Sequence, residues 1–289
     1  METSLTFNSV RILDLLIAGA GYLEQKGVDF PRVEADLLLS HVLGVSRVDL
    51  YLMREEDISG EKLRQYAELL VKRGDREPLA YLLKTREFMG LDFYVDQRVL
   101  IPRPETELLV EKILEIGKTR YLGEQVRILD LGTGSGAIAV SLAYYWPEAS
   151  LTAVDISGKA LAVAEENARR HKVKLDLRQG NLFRPVSGEK FTIIASNPPY
   201  VSQEEYTFCS PEVKKEPTLA LLGGWDGLEF YREIALRAGE YLLPGGFIIL
   251  EIGQAQGPKV AELFRDKGFE TSIYPDYAGL DRIVLAEKK

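Results

Sequence analysis

Asp130-Leu131-Gly132-Thr133-Gly134-Ser135-Gly136-Ala137 decides the fold, because an apolar run over residues 126–131 ends in it and a helical stretch through Ile138, Ala139 and Leu142 leaves it. Glycines at 132, 134 and 136 let the backbone turn sharply and approach a ligand without side-chain obstruction. Three alternating glycines are entropically costly in a turn that holds nothing, so a ligand loop is the stronger reading. Asp155 stands nineteen residues after Gly136, at the end of the next apolar run. A carboxylate there can accept hydrogen bonds from both ribose hydroxyls of a nucleoside.

The loop alone admits two ligands. Gly132, Gly134 and Ala137 also satisfy the G-x-G-x-x-G/A dinucleotide pattern. Two features favour S-adenosyl-L-methionine. Asp130 can turn its carboxylate toward the ligand's amino group or sulfonium, and Gly136 leaves room for an amino-acid moiety in place of a pyrophosphate.

Outward from this loop, short apolar runs at 151–155, 175–179, 191–196 and 247–252 alternate with helical stretches such as 156–170 and 228–241. That alternation predicts a parallel sheet with helices on both faces. Residues 269–274 and 282–286, separated by Ala278-Gly279, predict an antiparallel ending. Upstream, Leu91, Phe93 and Val95 follow Phe88-Met89-Gly90 with a period of two, as in a β-hairpin. Pro102 and Pro104 then stiffen the approach to a helix carrying Leu108, Leu109, Ile113 and Leu114, with Pro104 in its first turn. Before residue 85 the pattern is of short amphipathic helices. Leu13, Leu16, Ile17 and Ala20 mark one, with Gly21 and Gly27 punctuating the chain after it; others begin at Pro31, after Ser59 and at Pro78.

Two segments beyond the loop carry candidate chemistry. After the third run, Asn181 can hydrogen-bond an adenine edge and Leu182 can line its face. Asn197-Pro198-Pro199-Tyr200 ends the fourth run, where open α/β sheets bind ligands. An amide or aromatic amino nitrogen is a weak nucleophile, since its lone pair is delocalised. Two acceptors aimed at its N–H bonds return density to nitrogen and orient it. The Asn197 side-chain oxygen and the Pro198 carbonyl fit that role, the prolines hold them in place, and Tyr200 can cover the flat group by stacking.

The net charge of −8 opposes a phosphate backbone, and no block of Lys and Arg offsets it. One cysteine, Cys209, and two histidines, His41 and His171, leave little for a disulfide, a thiol nucleophile or a zinc site, so no metal is expected. No signal peptide is read at the N-terminus and no apolar run reaches membrane-span length, so a cytoplasmic protein is expected.

With Glu77 to Leu82, Arg86-Glu87-Phe88, Leu100 to Glu107, Asp130 to Gly136, Asn197 to Tyr200, Gly223 to Leu228 and Tyr231-Arg232, the chain resembles the PrmC/HemK family over nearly its full length. These are the protein-glutamine N5-methyltransferases of peptide chain release factors. The resemblance implies a Rossmann-like class I methyltransferase domain, mostly parallel with an antiparallel end, at residues 104–289. A connector at 86–103 (hairpin and Pro-rich segment) would join it to an N-terminal helical substrate-docking domain at 1–85. It further implies methyl transfer from S-adenosyl-L-methionine, leaving S-adenosyl-L-homocysteine, to the glutamine amide of a Gly-Gly-Gln loop in class 1 release factors. Gly132, Thr133, Gly134, Ser135, Gly136, Asp155, Leu182 and Asn197 would contact the cofactor, as would Asn181, where an acidic residue is expected. Asn197, Pro198, Pro199 and Tyr200 would hold the glutamine, with Asn197, Pro198 and Tyr200 catalytic. Arg103 and Glu105 are candidate substrate contacts. Pro104-Glu105-Thr106-Glu107 favours the release-factor branch over the related ribosomal-protein enzymes. The expected partner is the protein substrate alone, with no direct nucleic acid and no membrane, and the chain is expected to act as a monomer. The competing acceptor is an exocyclic amine, N6 of adenine or N2 of guanine, in a nucleic acid.

Overall fold

A computed structural model describes residues 9–288, so the N-terminal stretch read as lacking a signal peptide lies outside the described residues. The chain divides into two units: the described residues up to Lys84 together with Pro211–Lys215, and Thr85–Ser210 with Glu216 onward.

The first unit holds β1 (Val10–Arg11), α1 (Ile12–Gln25), α2 (Pro31–Leu43), α3 (Arg47–Leu52), β2 (Asp57–Ile58), α4 (Gly60–Gly74) and α5 (Leu79–Leu83). Pro31 opens α2 at a position where its missing N–H costs nothing, and Gly44 stops it in the left-handed region. The buried stripe of α1 is Ile12, Leu16, Gly19 and Leu23; of the predicted one, Leu16 lies on it, Leu13 and Ala20 are half-buried, and Ile17 is 62% exposed. Gly19 carries no hydrophobic signal, yet it is where the Tyr66 ring lies against the helix. Gly21 lies inside α1 instead of punctuating it. Helix α3, capped by Ser46, and the β1–β2 ladder are too short to read from periodicity. Glu212, far along the chain, packs in this unit by accepting hydrogen bonds from Arg73 (3.0 Å) and Arg76 (2.9 Å).

The second unit opens with the hairpin β3 (Arg86–Phe88) and β4 (Leu91–Phe93), whose turn at Met89 and Gly90 has positive φ at both positions. Met89 tolerates this because its N–H donates to Glu107 and its carbonyl accepts from the Tyr145 hydroxyl. Then come α6 (Pro104–Arg120), β5 (Arg127–Leu131), α7 (Ala137–Tyr145), β6 (Ser150–Asp155), α8 (Gly158–Arg170), β7 (Asp176–Gln179), β8 (Phe191–Ser196), α9 (Gln203–Phe208), α10 (Glu229–Tyr241), β9 (Leu242–Glu251), α11 (Gly257–Arg265), β10 (Phe269–Pro275) and β11 (Asp281–Lys288).

Seven strands form one sheet in the order β10-β11-β9-β8-β5-β6-β7. Neighbours from β9 to β7 pair in parallel, and β11 is antiparallel to both β9 and β10. The expected antiparallel ending is therefore present, with the last strand inserted between two others and β10 on the edge. Every residue of β8 is buried, as a central strand covered on both faces must be. From β5 the chain first proceeds to β6 and β7 and then returns to β8 on the other side. That reversal opens a crevice at the strand carboxyl ends.

Candidate active site

A cleft of about 310 Å³ lies at this reversal. Its lining includes Gly132, Gly134, Asp155, Asn181, Leu182, Asn197, Pro198 and Pro199, so residues from four separate strand ends converge. Gly132 has φ +72° and its missing Cβ would project into open space, which makes a bare backbone wall. Asp155 accepts N–H bonds from Gly134 and Ser157, both 2.8 Å, so its carboxylate is held rigidly. Burial still raises its pKa above the ordinary carboxylate range.

Thr133, Ser135 and Gly136 do not line the cleft, and each has a structural task. The Thr133 hydroxyl donates to Asp130 at 2.6 Å. The Ser135 carbonyl accepts from the fully buried Asn167, which also exchanges two hydrogen bonds with the backbone of Tyr94. Gly136 begins α7 against Ala164, with φ +81°. Asn167 thus ties the glycine loop to the chain leaving the hairpin, a contact that no local pattern announces.

The cleft suits a cationic nucleoside better than a dinucleotide. Its charged lining residues are Arg98, Asp155, Glu229 and Glu233, an excess of carboxylates that opposes a pyrophosphate. Behind the loop, Asp130 is fully buried and one of its carboxylate oxygens, Oδ1, has no hydrogen-bond partner. Burial pushes its pKa up to about 7, and a positive ligand group nearby would favour the ionised form. Ile156, half exposed directly after Asp155, adds an apolar wall that the sequence reading assigned to a helix.

Asn197 follows β8, and the register Ser196↔Leu250 sets it beside Glu251 at the end of β9. The Asn197 Nδ2 donates to Thr106 Oγ1 at 3.1 Å, and that hydroxyl donates to Glu251 Oε2 at 2.5 Å. Tyr200 is not in the lining. Its ring packs against the core and its hydroxyl lies 3.5 Å from Glu251 Oε1, so stacking over an acceptor is not its position here. Burial raises the Tyr200 pKa and keeps the phenol neutral. The Tyr200 carbonyl accepts from Gln256, and Gly227 permits this close packing, since a Cβ there would come within 2.3 Å of that carbonyl.

Arg103 reaches Glu216 at 2.6 Å, and the buried Glu216 also accepts the Ile101 N–H at 3.0 Å. Arg103 therefore anchors the Pro-rich segment to the stretch after the Asn-Pro-Pro-Tyr motif, while Glu105 stays exposed. Glu216 and Glu251 escaped the sequence reading, and Thr106 entered it only as part of Pro104-Glu105-Thr106-Glu107, because each acts across a long separation. Among the described residues no cluster of His, Cys, Asp and Glu is fit to hold a metal, and no helix is long and apolar enough to cross a membrane.

Residues 14–83 match the family described as PrmC N-terminal domain, and residues 104–211 match the methyltransferase small domain. The release factor glutamine methyltransferase of Geobacter sulfurreducens is 43% identical over 266 residues, covering 91% of this chain and 92% of that one. Its counterpart from Moorella thermoacetica is 42% identical, covering 91% and 93%. A solved methyltransferase structure from Pyrococcus furiosus, 21% identical, is similar in fold, with a TM-score of 0.52 over 78% of this chain and 98% of that one. The fold is that of Rossmann-like methyltransferases, and the chain belongs to the release factor glutamine methyltransferase family.

Proposed function

We propose that the chain transfers a methyl group from S-adenosyl-L-methionine to the side-chain amide nitrogen of the glutamine in the Gly-Gly-Gln loop of class 1 peptide chain release factors. The observation that carries this reading is Asn197, an acceptor-bearing side chain that lines a carboxylate-rich cleft, in a chain of this family. S-adenosyl-L-methionine, when bound, supplies the electrophilic methyl.

The protein's part is to bind and to orient. Gly132, Gly134 and Leu182 would wall the cofactor, Asp155 would accept its ribose hydroxyls, Asn181 and Ile156 would flank its base, and Asp130 would balance its positive end. Asn197 Oδ1 and the Pro198 carbonyl accept the two N–H bonds of the substrate amide and hold its nitrogen in line for attack. No carboxylate base is needed, because the nitrogen becomes acidic as the new bond forms and releases its proton to solvent. Thr133, Ser135 and Gly136 shape the loop, and Tyr200 supports the motif from behind. The helical unit is assigned to docking the release factor, which the chain meets as a cytoplasmic monomer. A base in nucleic acid is not favoured as the acceptor, given the family and the net charge of −8.

Labelled S-adenosyl-L-methionine incubated with a class 1 release factor tests the proposal. Label is expected on the intact factor and absent when the Gly-Gly-Gln glutamine is replaced by alanine. Equal labelling of both proteins overturns it.

A further inference from the structure

An asparagine amide fits its site in two orientations of the same shape, and only one presents an acceptor to a substrate N–H. The selection rests on proton counting. The Thr106 hydroxyl has a single proton, and it lies 2.5 Å from a carboxylate oxygen of Glu251, which in the ionised form can only accept. With that proton committed, Thr106 Oγ1 is left as an acceptor, and the Asn197 atom 3.1 Å away must be the donor, Nδ2. Oδ1 then faces the opposite way.

We propose that Thr106 and Glu251 are positioning residues that lock the Asn197 amide with Oδ1 toward the substrate nitrogen. The inference rests on the reading of Asn197 as the acceptor of the substrate's N–H. The two residues form a polarity relay. If Glu251 takes up a proton, it becomes a donor to Thr106 Oγ1, and the threonine proton turns toward Asn197. The amide then gains by rotating, which sets an NH2 against the substrate's own NH2 and removes the acceptor.

The surroundings make such a change accessible. Glu251 is fully buried. The groups facing it are Thr106 and Glu105 from α6, Tyr200 after β8, Tyr231 from α10, whose hydroxyl donates to the Glu251 backbone carbonyl at 2.8 Å, and Arg282 from β11. Arg282 favours the carboxylate and Glu105 opposes it, but the hydrogen bonds of Arg282 go to Asp276 and Ile252, so no cation neutralises Glu251 directly. Burial dominates and raises the Glu251 pKa to about 7. Neither the glutamine amide nor the sulfonium of the methyl donor titrates near that value, and Asp130 is raised to a similar one, so it is the loss of an acid limb in Glu251→Gln that assigns the limb to Glu251.

Steady-state methylation of a full-length class 1 release factor across about pH 5.5–9, with calorimetric binding of S-adenosyl-L-homocysteine, provides the test. Thr106→Val is expected to lower kcat about 10- to 100-fold, by analogy with other orienting partners, with cofactor affinity unchanged. Thr106→Ser, which keeps the hydroxyl, is expected to restore turnover. Glu251→Gln can still accept from Thr106 through its amide oxygen, so it is expected to keep turnover at high pH and to lose the acid limb near pH 7. A kcat for Thr106→Val equal to wild type, or a Glu251→Gln profile with the acid limb intact, overturns the relay. If Asn197→Ala is slow while those variants behave as wild type, only the relay fails. If Asn197→Ala itself turns over normally, the underlying reading of the acceptor site fails.

Discussion

On the side of the cleft proposed to hold the methyl donor, Gly132, Gly134, Asp155, Ile156 and Leu182 lie at or just beyond the carboxyl end of a strand, and each is placed by that strand and the turn after it. On the acceptor side, Asn197 depends on Thr106, 91 residues upstream, and Thr106 on Glu251, 145 residues downstream. Backbone surfaces need only the right dihedral angles, so short motifs specify them. Orienting a side-chain amide needs partners whose protons are counted in space, so packing must supply them. The donor side is therefore expected to fail in affinity, and the acceptor side in rate.

The largest expected effect lies on the acceptor side. Asn197→Ala removes the proposed acceptor for the reacting amide, and turnover should fall about 10²- to 10³-fold with an unchanged melting temperature. Near-normal turnover in a folded variant breaks the division of labour.

Asp155→Ala should do the reverse. It takes away the proposed ribose acceptor and the partner of two backbone N–H groups, and should weaken S-adenosyl-L-homocysteine binding about 10- to 100-fold by calorimetry. Saturating cofactor should recover much of the turnover. A loss of kcat that saturation does not relieve places Asp155 in the chemistry instead.

Each side also holds one buried carboxyl raised to about 7 by desolvation, Asp130 on the donor side and Glu251 on the acceptor side. In the unfolded chain both titrate near 4, so from about pH 4 to 7 the folded protein binds more protons than the unfolded one. Their combined contribution makes stability fall as pH rises through that window and level off above it. Urea unfolding at several pH values is expected to show a shallower decline for Asp130→Asn and for Glu251→Gln. An unchanged slope in both variants assigns the decline to other groups.

The smallest effect is expected for Ile156→Ala, which trims one apolar wall of the cleft. Cofactor affinity should drop a few-fold, on the order of 1 kcal/mol, with kcat preserved. A large loss of kcat in this variant would blur the distinction between the two sides.

The order of strands and helices after residue 126 is readable because apolar runs of strand length alternate with helical periodicity. The glycine loop, Asp155 and Asn-Pro-Pro-Tyr are contiguous or directly follow a strand, so their positions come with the pattern. Unit one reads less well. Gly19 hides the buried stripe of α1, and α3 is shorter than two helical turns. Within the candidate site, Thr133, Ser135 and Gly136 share the loop with Gly132 and Gly134. Which of them face the cleft depends on the turn's dihedral angles and on Asn167 reaching over from α8.

Asn197 illustrates the boundary. Its residue type, its proline neighbours and its place after a buried strand are properties of the chain order, and they are the grounds on which it is proposed as an acceptor for a planar NH2. Which way its amide faces is a property of proton positions on Thr106 and Glu251, brought together by α6 and by the parallel register of β8 with β9. Chain order encodes local dihedral preferences and burial periodicity. Hydrogen-bond polarity across separate elements exists only once they are packed and water is excluded from between them.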